Sequence, residues 1–374
     1  MLFEAQTPVL VASNMLLLVI IYYSLQPAYY NREENPPIRL YWGLFCIFLF
    51  CMFSFWGRDW FGYQSEYQII KQSVWYRDKT SLEPFYVWLI TISPHYLFFR
   101  FVIFGTALTF VFLIISHLEV NRDLAWFFFG VLFLPLFGYA RVSLPVVMMI
   151  YGSTLITKPW KNRYRLSWIV GVSLILGALF FHKSAALGIV VVLFSLISRT
   201  TNRNSWFYII LAFIIVAILA RILVSYFLSG ALDTDDVMAQ KSLTSGQHYM
   251  NKVQVDRGPG ALLNVFLERV PYYMIAYLSY LLQSEYKLPK GIEGILKIEM
   301  YLILFSSVFA VDLGANTSTL YGRLLRFSLI PSTIILTYAY HYDLYPKLVK
   351  LIFFISLVGT INRVTYTFYN RLVG

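Results

Sequence analysis

The sequence predicts an all-α polytopic membrane protein, with about twelve transmembrane helices, one re-entrant or interfacial helix and two longer extracytoplasmic segments. Three observations predict it. Of 374 residues, 59% are hydrophobic and only 13% charged, where a soluble chain carries roughly a quarter charged residues. Mean hydropathy is +0.64. Apolar runs near 20 residues recur along the whole length, each long enough for a hydrocarbon core of about 30 Å. A β-barrel would instead alternate over segments of about 10 residues. Residues 1–374 read as one integral membrane domain.

In chain order, the apolar runs place spans at 9–25, 40–56, 97–117, 124–139, 142–157, 167–181, 185–198, 205–228, 260–283, 298–312, 320–341 and 350–368. The run 9–25 lacks a basic leader and reads as a retained helix rather than a signal peptide. Cys46 and Cys51 share one apolar run and say nothing about redox compartment. Residues 83–95, "EPFYVWLITISPH", lie between Pro84 and Pro94. They are too short to span and fit a re-entrant or interfacial helix. Before them, Tyr63, Tyr67, Ile70 and Val74 recur at helical spacing, as in an amphipathic helix lying on the membrane. The polar segment 229–259 has the composition of a mobile loop or lid. Lone glycines such as Gly171 and Gly177 read as helix-packing positions.

Orientation follows from the short links. The net charge of +11 is read as positive-inside loops, not as a nucleic-acid surface. "KPWKNRYRL" at 158–166, "RTTNR" at 199–203, the loop 284–297 with Lys287, Lys290 and Lys297, and the link 342–350 with Lys347 and Lys350 are basic, hence cytoplasmic. The segments 57–96 and 229–259 then face outward, and so do both termini.

Six arginines fall inside apolar runs: Arg100, Arg221, Arg269, Arg323, Arg326 and Arg363. Each costs roughly 2.5–3.5 kcal/mol at a helix centre, which makes intramembrane arginines functional candidates. The span assignment puts all six in the outer half of the membrane. Snorkelling explains those near helix ends. Arg269 and Arg326 lie roughly 9–14 Å deep, and Glu268 and Asp312 are the main acids available to pair with them. Several of these arginines are expected to line one outward-facing cationic cavity. Such a cavity suits a lipid diphosphate, because the guanidinium fork binds phosphate in pairs and keeps its charge.

Five stretches then occur in order: "GRDWFGY" at 57–63, "EPFYVWL" at 83–89, "RVSLPVVMMIYG" at 141–152, "FFHKSA" at 180–185 and "YGRLLRF" at 321–327. Together they resemble the EpsG-like family of Wzy-type bacterial polysaccharide polymerases, the group that makes O-antigen, capsule and exopolysaccharide. The resemblance runs from about residue 40 to 330. The family pattern after the arginine is R-Q-x-L-A; here Val142 and Pro145 stand in place of the glutamine and the alanine. The resemblance implies a plasma-membrane glycosyltransferase with its active site outside and a GT-C-like fold. It joins repeat units carried on undecaprenyl diphosphate, which serves as donor and acceptor. It would work beside a flippase and a chain-length regulator, in contact with membrane lipid and without nucleic acid.

The residues agree with such chemistry. A departing diphosphate is stabilised by fixed cations, without a metal or other cofactor. The acceptor hydroxyl needs a base within reach, and a single displacement inverts the anomeric centre. The candidate catalytic groups are His182, Asp59 and Glu83. Imidazole titrates near neutrality and suits a base or a phosphate ligand. Glu83, before Pro84, is equally placed to cap the re-entrant helix. Arg141, Arg323, Arg326 and Lys183 are the diphosphate-binding candidates, and Tyr63, Tyr67 and Arg269 the substrate-binding ones. "DTDD" at 233–236 and His248 read as a solvated loop rather than a metal site. The competing functions are a flippase or exporter of the same glycolipids, and a membrane acyltransferase. A flippase needs polar groups reaching the inner half of the membrane, and the charges here stop in the outer half.

Overall fold

The computed structural model describes residues 2–30, 36–53, 59–74, 83–182, 259–310 and 325–372, with Ala185, Ile189 and Ser195. Among the described residues every regular element is helical and there is no strand. The helices are α1 (Leu2–Tyr30), α2 (Pro37–Phe53), α3 (Asp59–Gln72), α4 (Pro84–Ile92), α5 (Tyr96–Leu118), α6 (Arg122–Phe128), α7 (Ala140–Thr157), α8 (Tyr164–Phe181), α9 (Pro259–Glu285), α10 (Lys290–Ala310), α11 (Leu329–His341) and α12 (Pro346–Leu372). Apart from Ala185, Ile189 and Ser195, the expected spans 185–198 and 205–228, and the loop 229–259 up to residue 258, lie outside the described residues.

By length and composition, α5, α7 and α8 can each cross a membrane, and α2 is a shorter apolar helix. The longer α9, α10 and α12 carry charged residues within their length. The whole fits a polytopic helical membrane protein. One expected boundary is corrected. The loop 284–297 is largely helix: α10 begins at Lys290. Its first turns are held by the Lys297–Glu293 pair at 2.7 Å and by burial of Ile292, Ile295 and Leu296. Glu299, within the expected span 298–312, is fully buried and accepts from Ser332 Oγ at 2.9 Å. Among the described residues it is a buried acid that the apolar runs did not mark.

α7 and α8 form an antiparallel hairpin joined by 158–163. Their backbones touch at a glycine pair: a Cβ on Gly152 would lie 2.5 Å from Gly171 O, and one on Gly171 would lie 2.7 Å from Gly152 O. Small residues at such a crossing let membrane helices approach closely. Gly171 therefore packs as its position in the sequence predicts. Pro145 sits inside α7 without ending it, although it lacks the N–H that would bond the Arg141 carbonyl. α6 continues through a π-turn, Phe129–Phe133, to a last turn Leu134–Phe137. Thr360 of α12 donates to the Leu132 carbonyl in that turn, 3.1 Å away.

The basic links among the described residues gather at one end. Lys158 Nζ reaches the His117 carbonyl and Glu119, each at 2.8 Å, so the links after α5 and α7 meet. Gly291 of α10 packs on Leu118 and Lys158. Tyr345, in the link before α12, donates to Glu285 at the end of α9. Also packed together are Tyr29, Phe127, Tyr340 and Phe353 from α1, α6, α11 and α12. The antiparallel hairpin places the start of α7 and the end of α8 at the opposite end, and the candidate site forms there.

Candidate functional site

The site begins with the α7–α8 hairpin. Arg141 is the second residue of α7, and His182 directly follows Phe181, the last residue of α8. The glycine crossing therefore delivers an arginine and a histidine to the same end. Between them comes the start of α4. Its Phe85 packs on Phe181, with ring centroids 4.6 Å apart, which sets Glu83 beside His182. At nine residues α4 is about 14 Å long, too short to cross. It is moored on α3 by Tyr67 Oη donating to Ser93 O at 2.8 Å and Lys71 Nζ to Thr91 O at 2.7 Å.

Glu83 is the centre of the cluster. Its side chain is 2% exposed. Oε2 accepts from Arg141 Nη2 at 2.8 Å and Nε at 3.2 Å, and Oε1 lies 3.2 Å from His182 Nδ1. Both oxygens are used, and the carboxylate makes no capping bond to α4. The cap role allowed by the Glu-Pro pair is thus not taken; the charge is spent on Arg141 and His182. The Arg141 guanidinium lies over the Tyr86 ring, 5.5 Å from its centroid. Its Nη1 stands 4.0 Å from Glu66 Oε1, and Tyr86 Oη donates to Glu66 Oε2 across 3.4 Å. Burial holds the Glu66 carboxyl above the ordinary carboxylate range, against the lowering pull of Arg141. Burial also pushes the Tyr86 phenol well above its usual value.

Glu66 did not emerge from the sequence. It stands one turn beyond Tyr63 on an amphipathic helix, and that spacing was the only local signal. Of the two tyrosines expected to meet substrate, Tyr63 is half-buried and Tyr67 fully buried, committed to Ser93 and packed on Tyr96 and Phe99. Tyr67 therefore offers no free ring face. Asp59 is the first residue of α3; its side chain, with Lys183 and Arg323, lies outside the described residues.

Among the described residues, Arg100 and Arg141 are not open cations. Arg100 is 1% exposed and donates from Nε to Met52 O at 2.8 Å and from Nη2 to Cys51 O. It closes the C-terminal carbonyls of α2, which have no helical partners, and packs over Phe104. This corrects its expected place in a cationic cavity, and it does not snorkel either. Arg141 is matched by Glu83. Arg269 is half-buried on α9. Arg326 opens the 3-10 turn Arg326–Ser328 and stacks on Tyr139, 3.6 Å from its centroid and two residues before Arg141. No acid among the described residues pairs with it. Arg221 and the side chain of Arg363 lie outside the described residues.

The sequence model of the EpsG family matches residues 39–372, nearly the whole chain and every segment that contributes to the cluster. The chain belongs to the EpsG family. Membership points to polysaccharide-polymerase-type function in general, a glycosyltransferase-like activity in a membrane protein. No curated protein and no solved structure matches this EpsG-family chain.

Proposed function

We propose that this protein joins oligosaccharide repeat units carried on undecaprenyl diphosphate into a surface polysaccharide such as O-antigen, capsule or exopolysaccharide. The reaction takes place at the outer face of the bacterial plasma membrane, in a GT-C-like bundle of about twelve spans. The observation that carries this reading is the meeting of Glu83, Arg141 and His182, from three separate segments, at the end of the bundle opposite the basic links.

The chemistry runs as one displacement. The acceptor hydroxyl oxygen bonds to the anomeric carbon of the donor, and the bond from that carbon to the diphosphate oxygen breaks. The undecaprenyl diphosphate leaves with the bonding pair, and the anomeric centre inverts. With Nδ1–H donating to Glu83 Oε1, the imidazole of His182 is held in one tautomer and its Nε2 accepts the hydroxyl proton. A carboxylate orienting a histidine base is a recurrent solution to this problem. Arg141 holds the Glu83 carboxylate in place. Arg326, with Lys183 and Arg323, receives the diphosphate, whose developing charge these fixed cations stabilise.

The test is to incubate the purified protein with a synthetic undecaprenyl-diphosphate-linked repeat, with and without chelator, and read product length. A ladder indifferent to chelator is expected. Translocation of the glycolipid across vesicles with no change in its length would replace the reading with that of a flippase.

A further inference from the structure

Glu66 is underused where Glu83 is saturated. A carboxylate has about four acceptor positions. Glu83 fills its oxygens with three contacts of 2.8–3.2 Å. Glu66 has one long bond from Tyr86 at 3.4 Å and a 4.0 Å approach to Arg141. Its side chain is 20% exposed, so it can be reached from outside, yet burial has already removed most of its water. It rides on α3, whose inner face is fixed by the Tyr67 and Lys71 bonds to α4. Among the described residues it is therefore a preorganised acceptor whose hydrogen-bonding capacity is only partly used.

The charge around it selects the ligand. Arg141 is already neutralised by Glu83, so Glu66 adds a net negative charge and repels an anion. Neutral O–H donors are what this carboxylate can take, and a carboxylate binds adjacent hydroxyls with charge-assisted hydrogen bonds. Tyr63 lies one turn earlier on the same helix face, half-buried. Arg326, without an acid partner among the described residues, stacks on Tyr139. The site thus separates a hydroxyl-binding side from an anion-binding side.

We propose that Glu66 is a sugar-binding residue. Its carboxylate accepts hydrogen bonds from hydroxyl groups of a pyranose in the lipid-linked repeat, next to Arg141. This rests on the polymerase reading and names the subsite that reads the sugar rather than the diphosphate.

The experiment compares wild type, Glu66→Gln and Glu66→Ala in lipid nanodiscs. Each is titrated with the synthetic diphosphate-linked repeat and, separately, with sugar-free undecaprenyl diphosphate, and elongation kinetics are measured on the same preparations. The expected result is a roughly tenfold weaker binding of the repeat, and a matching rise in KM, for Glu66→Gln, with a larger loss for Glu66→Ala. Affinity for the sugar-free lipid and kcat should stay within about threefold. Equal weakening for both lipids would assign Glu66 a merely electrostatic or structural role and overturn the proposal. Unchanged binding of the repeat by both variants would overturn it too, leaving the polymerase reading in place. A wild-type protein that binds neither lipid and extends nothing would remove the polymerase reading itself.

Discussion

At the scale of single residues, the ion pair between Glu83 and Arg141 sets the character of the site. Glu83 is buried and Arg141 half-buried, so removing one charge strands the other in a medium that solvates it poorly. Glu83→Gln is expected to destabilise the protein by about 3 kcal/mol, the low end for a buried pair because Arg141 keeps some solvent. Glu83→Gln combined with Arg141→Gln should recover part of that loss. Thermal unfolding of the single and double variants checks this, and strictly additive losses would refute the coupling. Glu66 behaves in the opposite sense. Its carboxyl is raised above the ordinary range by burial, so folding favours the neutral form. The stability it contributes is complete below the ordinary carboxylate range and is lost as pH rises through the folded value. Glu66→Gln, neutral at every pH, is therefore expected to be at least as stable as wild type at pH 8 and to lose this advantage on acidification. Melting temperatures across pH measure it. A residue that costs stability and is nonetheless placed in the cluster fits a functional role better than a structural one.

At the scale of elements, the site depends on how two helices cross. The Gly152–Gly171 contact lets α7 and α8 run backbone to backbone, and the positions of Arg141 and His182 at their ends follow from it. Gly152→Val should push the helices apart and cost about 1–3 kcal/mol through overpacking. Elongation should fall by more than the loss of folded protein explains, although no site residue is altered. Folded fraction from size-exclusion chromatography, set against specific activity, separates the two effects. Arg100 gives the contrasting case. Its guanidinium closes the end of α2, so Arg100→Met should orphan two carbonyls and lower the yield of folded protein. The molecules that do fold should elongate at the wild-type rate.

At the scale of the whole molecule, two ends differ in chemistry. The links 119–121, 158–163, 286–289 and 342–345 are tied together at one end by the Lys158, Gly291 and Tyr345 contacts, and Glu83, Arg141 and His182 meet at the other. Cys46 and Cys51 are buried, so a new surface cysteine can be probed on a quiet background. In intact cells, Pro94→Cys should react with a membrane-impermeant thiol reagent and Asn162→Cys should not; the reverse pattern would invert the topology. Much of this layout is legible in the sequence, because apolar length and basic links are local properties. The short helix at 84–92 is legible for the same reason, since its flanking prolines and length are written in one stretch. The partnership of Glu83 with Arg141 and His182 is not, since it arises from the glycine crossing and the Phe85–Phe181 contact between distant segments. Glu66 and Glu299 escape notice for a related reason: periodicity does not say which polar residue faces inward. Arg100 shows the converse error, in which a costly charge inside an apolar run turns out to cap a neighbouring helix. We propose that chain extension occurs at the Glu83–Arg141–His182 cluster. Its most direct test is product length from purified wild type, Glu83→Gln, Arg141→Ala and His182→Ala in nanodiscs, each supplied with the synthetic diphosphate-linked repeat. Wild type should give a ladder, and variants that remain folded and lipid-embedded should give no extension. Extension at the wild-type rate by folded His182→Ala or Arg141→Ala protein would contradict the proposal.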